Sequence, residues 1–402
     1  MAERMLEEFL SERVRQIGSS GIRKAFDLAK KSKIDDLISL GLGEPDMDTP
    51  DFVKEAAHRA IDGGHNRYTA NAGLIELRQA VADKMRIENH VSYDPETEVI
   101  ITVGAINAIH LAILSLINPG DEVLLPDPFF VAFEPCVIMA GGKAVHVPLR
   151  EENEFRLAVS DLEASLSPRT KMVIVNTPHN PTGSVLTRGD LEAIADFARR
   201  HDLFVLSDEV YEKLVYDGAE HHSIASLPGM RERTVTIHSF SKVYCMCGWR
   251  IGYAASTRHI VDQMVKLQQF NSVHAPSYSQ HAALTALRGS QDFLRDMVAE
   301  FDQRRRYTVE RLRAMDGIHC VMPMGCFYAF PNIREIGLSS GDLASHLITE
   351  GHVVTVPGSA LGSFGEGFLR ISYTVPMDRL KVAFDRMEST IAKIKKGHFT
   401  NA

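Results

Sequence analysis

The chain has few cysteines, and none of them form a pattern that predicts structural pairing. Its 402 residues include five cysteines, and no two of them make a C-x-x-C pair. Because an odd number of cysteines cannot all pair within one chain, we expect reduced thiols rather than a disulfide framework.

Long apolar runs are missing as well. No uninterrupted apolar stretch approaches the length needed to cross a membrane. The first residues, Met1–Ser11, alternate acidic and apolar side chains, and they lack the apolar centre and the small-residue cleavage site of a signal peptide. We therefore expect no membrane partner and a cytoplasmic location.

The chain also lacks a surplus of basic residues. It has 44 Lys and Arg against 52 Asp and Glu, with a formal net charge of -8 and a pI near 6.1. A nucleic-acid surface usually needs the opposite balance, so no nucleic-acid partner is expected. The 17 histidines show no metal-ligand spacing, and the adjacent pair His221–His222 is expected in a solvated loop. These features favour chemistry on small molecules without a metal.

Short apolar runs alternate with helix-like segments between about residues 99 and 255. This alternation is typical of a sheet covered by helices, so the predicted fold class is α/β with a mostly parallel seven-stranded sheet. The strands are predicted at Val99–Val103, Glu122–Leu125, Ala144–Val147, Met172–Val175, Leu203–Leu206, Thr234–Ile237 and Ile251–Ala255. Thr187 and Asp190 resemble a capping box, which predicts a crossover helix over Leu191–Arg200.

The length of the chain indicates two or three domains. Towards the C-terminus, long charged helical patterns are followed by strand-like pieces, Cys326–Phe330 and Phe368–Tyr373, which predict a smaller α+β domain. The N-terminal segment has a helical stretch, Ile22–Lys31, and one short strand, Asp36–Leu40, too little for a core of its own. We therefore predict an N-terminal arm and part of the small domain over residues 1–46, a large domain over 47–285 and a small C-terminal domain over 286–402.

Five of the predicted strands end at their carboxyl side in polar, aromatic or glycine residues. These groups are Gly104–Ala105, Phe129–Phe130, Asn176 with Asn180–Gly183, Asp208 with Tyr211, and Ser239–Lys242. In open α/β sheets ligands bind at this edge, because the carboxyl ends of parallel strands lie side by side there. The sequence therefore predicts one site built from all five groups.

Two charged residues of this set have surroundings that point to chemistry. Lys242 follows an apolar strand and precedes an aromatic and sulfur-rich stretch, which predicts a partly desolvated amine. Desolvation lowers the pKa of an amine and frees the lone pair that attacks an aldehyde. Asp208 ends an apolar strand, where an unpaired carboxylate is costly, so it needs a cationic partner. Taken alone, a surface lysine and a helix-capping aspartate are the competing interpretations.

Gly104 and Ala105 lie where a strand runs into the apolar helix Ile106–Ile117. Exposed backbone N–H groups and the helix dipole at such a point can hold an anion such as phosphate. Arg250 can supply charge and bidentate geometry to the same anion. The alternatives are an ordinary tight turn for the glycine and a salt bridge for the arginine.

The motifs resemble those of the class I aminotransferases, in the fold type I group of pyridoxal-phosphate enzymes. Ser239–Lys242, followed by Arg250 within Gly-Trp-Arg-Ile-Gly, is similar to the family's cofactor-attachment motif. Asn180–Gly183 and Asp208–Tyr211 are similar to two further motifs of the family, in the expected order. The resemblance spans nearly the whole chain, and it implies an aminotransferase that uses pyridoxal 5'-phosphate.

The resemblance also implies a role for each matching position. The implied cofactor site has Lys242 as a Schiff base, Asp208 at the pyridine nitrogen, Asn180 and Tyr211 at the phenolic oxygen, Phe130 on the ring face, and Gly104, Ala105, Ser239 and Arg250 at the phosphate, with Ile106 and Ser241 beside them. Lys242, Asp208 and Tyr211 are the implied catalytic residues. Tyr68 resembles the tyrosine that reaches the phosphate of a neighbouring subunit, which implies a homodimer with sites shared at the interface.

The implied substrate site consists of Arg370, Gly43, Asn180 and Ile22. Arg370 would clamp the α-carboxylate, and Gly43 would add a backbone contact to it. Ile22 and Ile106 match positions near the distal end of the substrate, and both are apolar. We therefore expect an aromatic or large neutral amino acid as donor and 2-oxoglutarate as acceptor. Arg23 could pair with a second carboxylate, so aspartate aminotransferase is the alternative.

The sequence departs from the family pattern at two places. The phosphate loop, Gly104 to Ile106, has no hydroxyl or lysine, so backbone N–H groups must carry more of the binding. Phe130 replaces the tryptophan or tyrosine of many members, which keeps the stacking and removes a polar group.

The resemblance implies a ping-pong reaction in which Lys242 serves as general base and acid. A β-lyase on the same scaffold would share the lysine, aspartate and arginine, but it would release pyruvate and ammonia without a second oxo acid. A cofactor-sensing transcriptional regulator would carry an added N-terminal DNA-binding domain. Here the motifs begin within the first fifty residues, so we expect no such domain.

Overall fold

The computed structural model describes residues 9–18, 34 and 36–397. The predicted helix Ile22–Lys31, with the predicted substrate residue Ile22 and the neighbouring Arg23, lies outside the described residues. The strands are β1 Ile38–Ser39, β2 Val99–Thr102, β3 Glu122–Asp127, β4 Lys143–Pro148, β5 Thr170–Asn176, β6 Phe204–Asp208, β7 Thr234–Ser239, β8 Gly252–Ala255, β9 Tyr328–Ala329, β10 Val353–Val354, β11 Val356–Pro357 and β12 Leu369–Ser372.

The α-helices of the described residues alternate with these strands in the first two thirds of the chain and dominate the last third. They are α1 Glu12–Gln16, α2 Asp51–Asp62, α3 Ile75–Glu88, α4 Gly104–Leu116, α5 Phe133–Met139, α6 Val159–Ser165, α7 Arg188–Arg200, α8 Arg258–Asn271, α9 Ser277–Arg288, α10 Asp292–Ala314, α11 Ser340–Thr349 and α12 Met377–Lys395. None of them has both the length and the apolar content that a membrane crossing requires.

Seven strands form one sheet in the order β2-β8-β7-β6-β5-β3-β4. Only β8 runs antiparallel to its two neighbours, β2 and β7, and the other pairings are parallel. The predicted fold class, α/β with a mostly parallel seven-stranded sheet flanked by helices, is confirmed. Each of the seven predicted strands is present, with its ends moved by about two residues or fewer.

Apart from the edge strand β4, the strands of the sheet are buried along almost their whole length, because helices cover both faces of the sheet. Along β5, Val173 and Val175 pack in the cluster that contains Leu191 and Ile194 of α7. The intervening Ile174 packs in a different cluster on the opposite face, with α4 and α8. Side chains thus alternate between two cores, as the period of a strand requires.

The predicted capping box is present at the start of α7. The Thr187 hydroxyl accepts a hydrogen bond from the Asp190 backbone N–H, and the Asp190 carboxylate accepts one from the Thr187 backbone. This reciprocal pair satisfies donors that the helix cannot satisfy itself, and it starts the crossover between β5 and β6.

A second core lies between α10, α11, α12 and two small sheets. One sheet has the order β11-β12-β9, and the other pairs β1 with β10 in parallel. Ile38 of β1 pairs with Val353, so the N-terminal strand is built into the C-terminal part of the chain. Strand β12, which carries Arg370, lies in the middle of its sheet, and this fixes the arginine beside the large sheet.

Candidate functional site

A cavity of about 240 Å³ opens at the carboxyl ends of β5, β6 and β7. This is the edge at which ligands bind in open α/β sheets. Its lining includes Gly43, Ala105, Ile106, Phe130, Asn180, Asp208, Tyr211, Ser239, Ser241, Lys242, Arg250 and Arg370. The structure thus brings together in one place the polar groups that the sequence places at separate strand ends.

Lys242 is half-buried and points across the cavity to the N-terminal segment. Its Nζ donates a hydrogen bond to the backbone carbonyl of Gly43 and lies 5.8 Å from the centre of the Phe327 ring. Within the described residues no carboxylate lies within ion-pair distance of this amine. A lysine held by one carbonyl and an aromatic face can react with a carbonyl compound that enters the cavity.

Gly43 has no room for a side chain. A Cβ at this position would lie 2.1 Å from the hydroxyl oxygen of Tyr328. The absence of a side chain therefore lets the main chain approach both Lys242 and the tyrosine, which explains a glycine at a position where its φ is ordinary.

Asp208 ends β6 as a buried carboxylate that forms no salt bridge among the described residues. Its Oδ1 accepts one hydrogen bond, from the backbone N–H of Val210 at 3.3 Å. Burial raises the pKa of Asp208 to about 7, and the nearby charge of Glu209 pushes it the same way. A cation that entered the cavity would lower this pKa again and recover the cost of burying the carboxylate. The capping interpretation is not supported, since no α-helix begins here.

Arg370 is fully buried at the opposite wall. Its Nη1 donates to Asn180 Oδ1 at 3.1 Å, its Nη2 donates to the Gly41 carbonyl at 2.8 Å, and its guanidinium lies over the Tyr328 ring. The third nitrogen, Nε, is buried and has no hydrogen-bond partner among the described residues. A buried arginine with an unsatisfied donor and no paired acid suits a carboxylate ligand.

An anion cradle lies at the start of α4. The helix begins at Gly104, whose φ is +77°, and a Cβ there would lie 2.6 Å from Nη2 of Arg250. The guanidinium of Arg250 is therefore packed against the positive end of the helix, and it forms no salt bridge to an acid of the described residues. Ser239 and Ser241 face each other beside it, with their hydroxyl oxygens 2.8 Å apart. Backbone N–H groups, hydroxyls and a guanidinium together form a phosphate site.

Three predicted site residues lie at the edge of this arrangement. Phe130 is half-buried, with its ring held edge-on against Phe133 at 5.7 Å. Ile106 is 46% exposed at the mouth of the cavity. Tyr68 is 86% exposed, lies outside the cavity lining, and packs its ring edge-on to His274.

Sequence reasoning missed the aromatic wall formed by Phe327 and Tyr328. The hydroxyl of Tyr328 lies 3.0 Å from that of Tyr211, and burial raises the pKa of Tyr211 well above its usual value. The sequence pattern predicts only that both aromatic residues belong to the strand-like piece Cys326–Phe330. What marks them as site residues is that their strand pairs with the strand of Arg370, and this pairing is visible only in the folded chain.

The expectation of a solvated loop at His221–His222 is wrong for His221. Its side chain is buried and its Nε2 is 3.0 Å from Oε2 of Glu209, the residue after Asp208. Burial raises the pKa of Glu209, but hydrogen bonds from His221 and Ser207 hold it below its usual range. A second buried acid, Glu212, follows β6 in the chain and pairs with Lys84. The site therefore rests on a buried charged cluster.

The arrangement fits the chemistry of pyridoxal phosphate. That compound combines a phosphate, a basic ring nitrogen and an aldehyde, and the cavity offers an anion cradle, an unpaired buried carboxylate and a lysine amine. The unsatisfied Nε of Arg370 leaves one further position for a carboxylate.

Comparisons with known proteins agree with the geometry. The model of the family "Aminotransferase class I and II" matches residues 35–387. An aromatic-amino-acid aminotransferase of Thermococcus litoralis is 48% identical, with 96% of this chain and 99% of the relative covered. An aspartate aminotransferase of Pyrococcus abyssi is 46% identical over the same shares.

A solved structure gives the same result. The aromatic aminotransferase from Pyrococcus horikoshii OT3 superposes with a TM-score of 0.88 at 45% identity, covering 93% of this chain and 99% of that chain. With a half-buried lysine, an unpaired aspartate and an anion cradle at one sheet edge, the chain belongs to the class I and II aminotransferases and is a pyridoxal-phosphate-dependent transaminase.

Proposed function

We propose that the chain transfers the α-amino group of an aromatic or other large neutral amino acid to 2-oxoglutarate. The observation that supports this choice is the charge of the cavity wall. Its basic residues among the described part of the chain are Lys242, Arg250 and Arg370, and each already has a task in the reaction.

The exposed Ile106 at the cavity mouth supports the same choice. An apolar donor side chain would cover this isoleucine, whereas a carboxylate placed there would lose water without gaining a partner. The relatives include both aromatic and aspartate aminotransferases, so aspartate is the rival donor. Arg23 and Ile22 are the candidate contacts from the segment outside the described residues, and Arg23 would also serve the second carboxylate of 2-oxoglutarate.

We assign the cofactor contacts as follows. Lys242 would bond to the cofactor, Asp208 would pair with its ring nitrogen, Asn180 and Tyr211 would bind its phenolic oxygen, and Phe130 would cover the ring. Gly104, Ala105, Ile106, Ser239, Ser241 and Arg250 would surround the phosphate. When bound, pyridoxal phosphate supplies an aldehyde that accepts the amino group and a ring that withdraws electrons from the substrate Cα.

The chain's own groups then position the substrate and move one proton. Arg370 and the backbone at Gly43 hold the α-carboxylate, and Asn180 keeps the guanidinium in place at 3.1 Å. This would direct the Cα–H bond towards Lys242. Once the amino group of the donor has replaced Lys242 at the aldehyde carbon, the freed Nζ would take the proton from Cα and deliver it to that aldehyde carbon. Asp208, Lys242 and Tyr211 are the residues to which we assign catalysis.

We further propose a homodimer with shared sites. Three large apolar residues are exposed in one region: Tyr68, Phe270 and Val273. The side chain of Asn71, three residues after Tyr68, donates a hydrogen bond to the Val273 carbonyl, which brings the two segments together. Such a patch favours contact with a second copy of the chain. In that assembly Tyr68 would reach the phosphate cradle of the partner.

The predicted division at residues 1–46, 47–285 and 286–402 is also a proposal, supported by the separate cores of the large sheet and of the C-terminal helices. A cytoplasmic location is proposed from the five unpaired cysteines, which suit a reducing compartment.

A donor panel tests the proposed function. Phenylalanine, tyrosine, aspartate and alanine are each offered with 2-oxoglutarate, and glutamate and the matching oxo acid are measured, with free ammonia as a second readout. We expect transfer from the aromatic donors with a kcat/KM at least tenfold above that for aspartate, about 1.4 kcal/mol in the barrier. Ammonia without glutamate would instead establish a lyase.

A further inference from the structure

The carboxylate of Asp127, at the end of β3, is a buried junction between the large sheet and the C-terminal part of the chain. It is 0% exposed, and it accepts hydrogen bonds from the Ser363 backbone at 2.9 Å, the Ser363 hydroxyl at 3.1 Å and the Phe364 backbone at 3.1 Å. Gly362 makes this approach possible, because a Cβ there would lie 2.1 Å from Asp127 Oδ1 and its φ is +125°. Three donors from one turn thus converge on one acid.

His146 of β4 supplies the positive side of this junction. Its Nδ1 lies 2.7 Å from Asp127 Oδ2, and its Nε2 lies 3.1 Å from Oε1 of Glu134. Both ring nitrogens therefore face a carboxylate, an arrangement that the doubly protonated ring satisfies and the neutral ring does not. The hydrogen bonds that the His146 ring donates to the carboxylates of Asp127 and Glu134 raise the pKa of His146 to about 9.

The other charged groups near β4 are engaged elsewhere. On α6, which also packs against β4, Asp161 pairs with Arg150, and Glu163 pairs with Arg200 and His201. Among the described residues, only the carboxylates of Asp127 and Glu134 lie within ion-pair distance of the His146 ring. The protonation of His146 therefore depends mainly on the two carboxylates of this junction.

The junction connects two parts of the cavity wall. Phe129, next to the ring-covering Phe130, donates its backbone N–H to the Leu361 carbonyl at 2.7 Å and packs its ring edge-on to His146. On the other side, the turn Ser363–Gly365 leads directly into β12 and its Arg370. Movement at Asp127 would therefore change the distance between Phe130 and Arg370.

We propose that Asp127 and His146 form a proton-dependent clamp that positions Phe130 against the strand of Arg370. The inference rests on the proposed roles of Phe130 at the cofactor ring and Arg370 at the substrate carboxylate. Both members of the clamp are positioning residues, since neither lines the cavity. The clamp closes when His146 is protonated and loosens when the proton is lost.

The direction of the pH effect follows from the histidine. Its pKa is raised from 6.5 to about 9, so its contribution is fully present below about pH 6.5 and is lost as the pH rises through about 9. A matched control exists in His201, whose side chain is also 26% exposed and lies 3.2 Å from a carboxylate of Glu163, away from the cavity.

The first experiment uses thermal unfolding of the cofactor-free protein. Wild type, His146→Gln and His201→Gln are compared between about pH 6 and pH 10. We expect His146→Gln to lower the midpoint by several degrees at neutral pH, with the gap closing as the pH passes about 9, whereas His201→Gln shows no such closing gap. A gap that is independent of pH, or one of equal shape in His201→Gln, would overturn the clamp.

The second experiment measures the dissociation constant of pyridoxal phosphate and the KM for the amino donor. His146→Gln should weaken cofactor binding about tenfold at neutral pH, as expected for loss of one charge-assisted hydrogen bond, and raise KM more than it lowers kcat. Glu134→Gln should shift the pH at which wild-type affinity declines towards neutrality, because one of the two acids that hold the proton is gone. Unchanged affinity in both variants would refute the positioning role.

The two proposals can fail separately. If the donor panel finds no transfer from aromatic amino acids while the stability gap still closes near pH 9, the substrate assignment fails and the clamp is supported. If the panel succeeds and His146→Gln matches wild type in both stability and affinity, the clamp alone is refuted.

Discussion

The hydroxyl oxygens of Tyr211 and Tyr328 lie 3.0 Å apart in the buried wall of the cavity. Tyr328 also packs under the Arg370 guanidinium, so one ring supports both the proposed cofactor contact and the proposed carboxylate clamp. Tyr328→Phe should keep the stacking and remove the hydrogen bond. We expect cofactor affinity to fall by about fivefold to tenfold, the effect of roughly 1 kcal/mol, measured by equilibrium dialysis. Affinity equal to wild type would show that Tyr211 is oriented without Tyr328.

Lys242 is predicted to carry both the covalent link and the proton transfer. Borohydride reduction of the loaded enzyme should therefore add the cofactor mass to the peptide that contains Lys242. Lys242→Ala should still bind cofactor through the cradle at Gly104 and Arg250 but lose turnover by orders of magnitude, because no base remains. Lys213→Ala is the control: that lysine is also half-buried, but it pairs with Glu88 at 2.9 Å outside the cavity. Labelling of any other lysine would contradict the assignment.

Asp208 is predicted to destabilise the cofactor-free protein. Its pKa is raised from 3.8 to about 7, so the folded state binds more protons than the unfolded state between these values, and stability falls as the pH rises through that window. Asp208→Asn should consequently stabilise the cofactor-free protein above pH 7 by on the order of a few kcal/mol, measured by chemical denaturation, while abolishing most activity of the loaded enzyme.

Asp217 provides the control of opposite sign. A hydrogen bond from the buried Arg305 lowers the pKa of Asp217, so Asp217→Asn should destabilise the protein. If Asp208→Asn also destabilised the cofactor-free protein, Asp208 would have to be paired in that state, and the proposed pairing with the cofactor would lose its basis.

Tyr68 is predicted to act across a subunit interface, since it is exposed and outside the cavity of its own chain. Lys242→Ala chains mixed with Tyr68→Phe chains should regain part of the activity, because a mixed dimer contains one site that is intact at both positions. Sedimentation of the wild type should show a dimer. A fully active monomer would rule out the shared site.

Much of the large sheet could be predicted from the sequence because its strands are buried on both faces. Most of them are short apolar runs between turn residues, and polar groups follow at the carboxyl ends, so the same sequence pattern predicts both the strands and the site. The order of the strands could not be predicted in this way, because it depends on contacts between distant parts of the chain, such as the pairing of Thr102 with Gly252.

The parts that could not be predicted are those made by tertiary contact between polar residues of distant segments. His221 follows a turn and looks solvated, yet it packs under Glu209 once the loop returns to the sheet. Asp127 lies two residues beyond the predicted strand Glu122–Leu125, and its partners at Ser363 and Phe364 are more than two hundred residues away. Periodicity carries no information about such pairs, because it reports the burial of a face and not the partner of a side chain.

The charge at the distal end of the substrate pocket should decide the donor. Ile106 is 46% exposed at the cavity mouth, and the basic residues of the described lining, Lys242, Arg250 and Arg370, are all assigned to other roles. Ile106→Lys should therefore raise kcat/KM for aspartate by about tenfold, equivalent to about 1.4 kcal/mol, and lower it for phenylalanine and tyrosine. Ile61→Lys is the control, because Ile61 is 54% exposed on α2 and does not line the cavity.

The competing donor is tested in the same assays through Arg23. In the apolar-pocket interpretation, Arg23→Ala leaves kcat/KM for phenylalanine and tyrosine unchanged and weakens only the use of 2-oxoglutarate, whose second carboxylate needs a cation. Aspartate preferred at least tenfold over every aromatic donor by the wild type would contradict that interpretation, since about 1.4 kcal/mol of transition-state stabilisation would then come from a charge near the side chain. If Arg23→Ala then removed only the aspartate activity, Arg23 would be the group that supplies it, and the enzyme would be an aspartate aminotransferase.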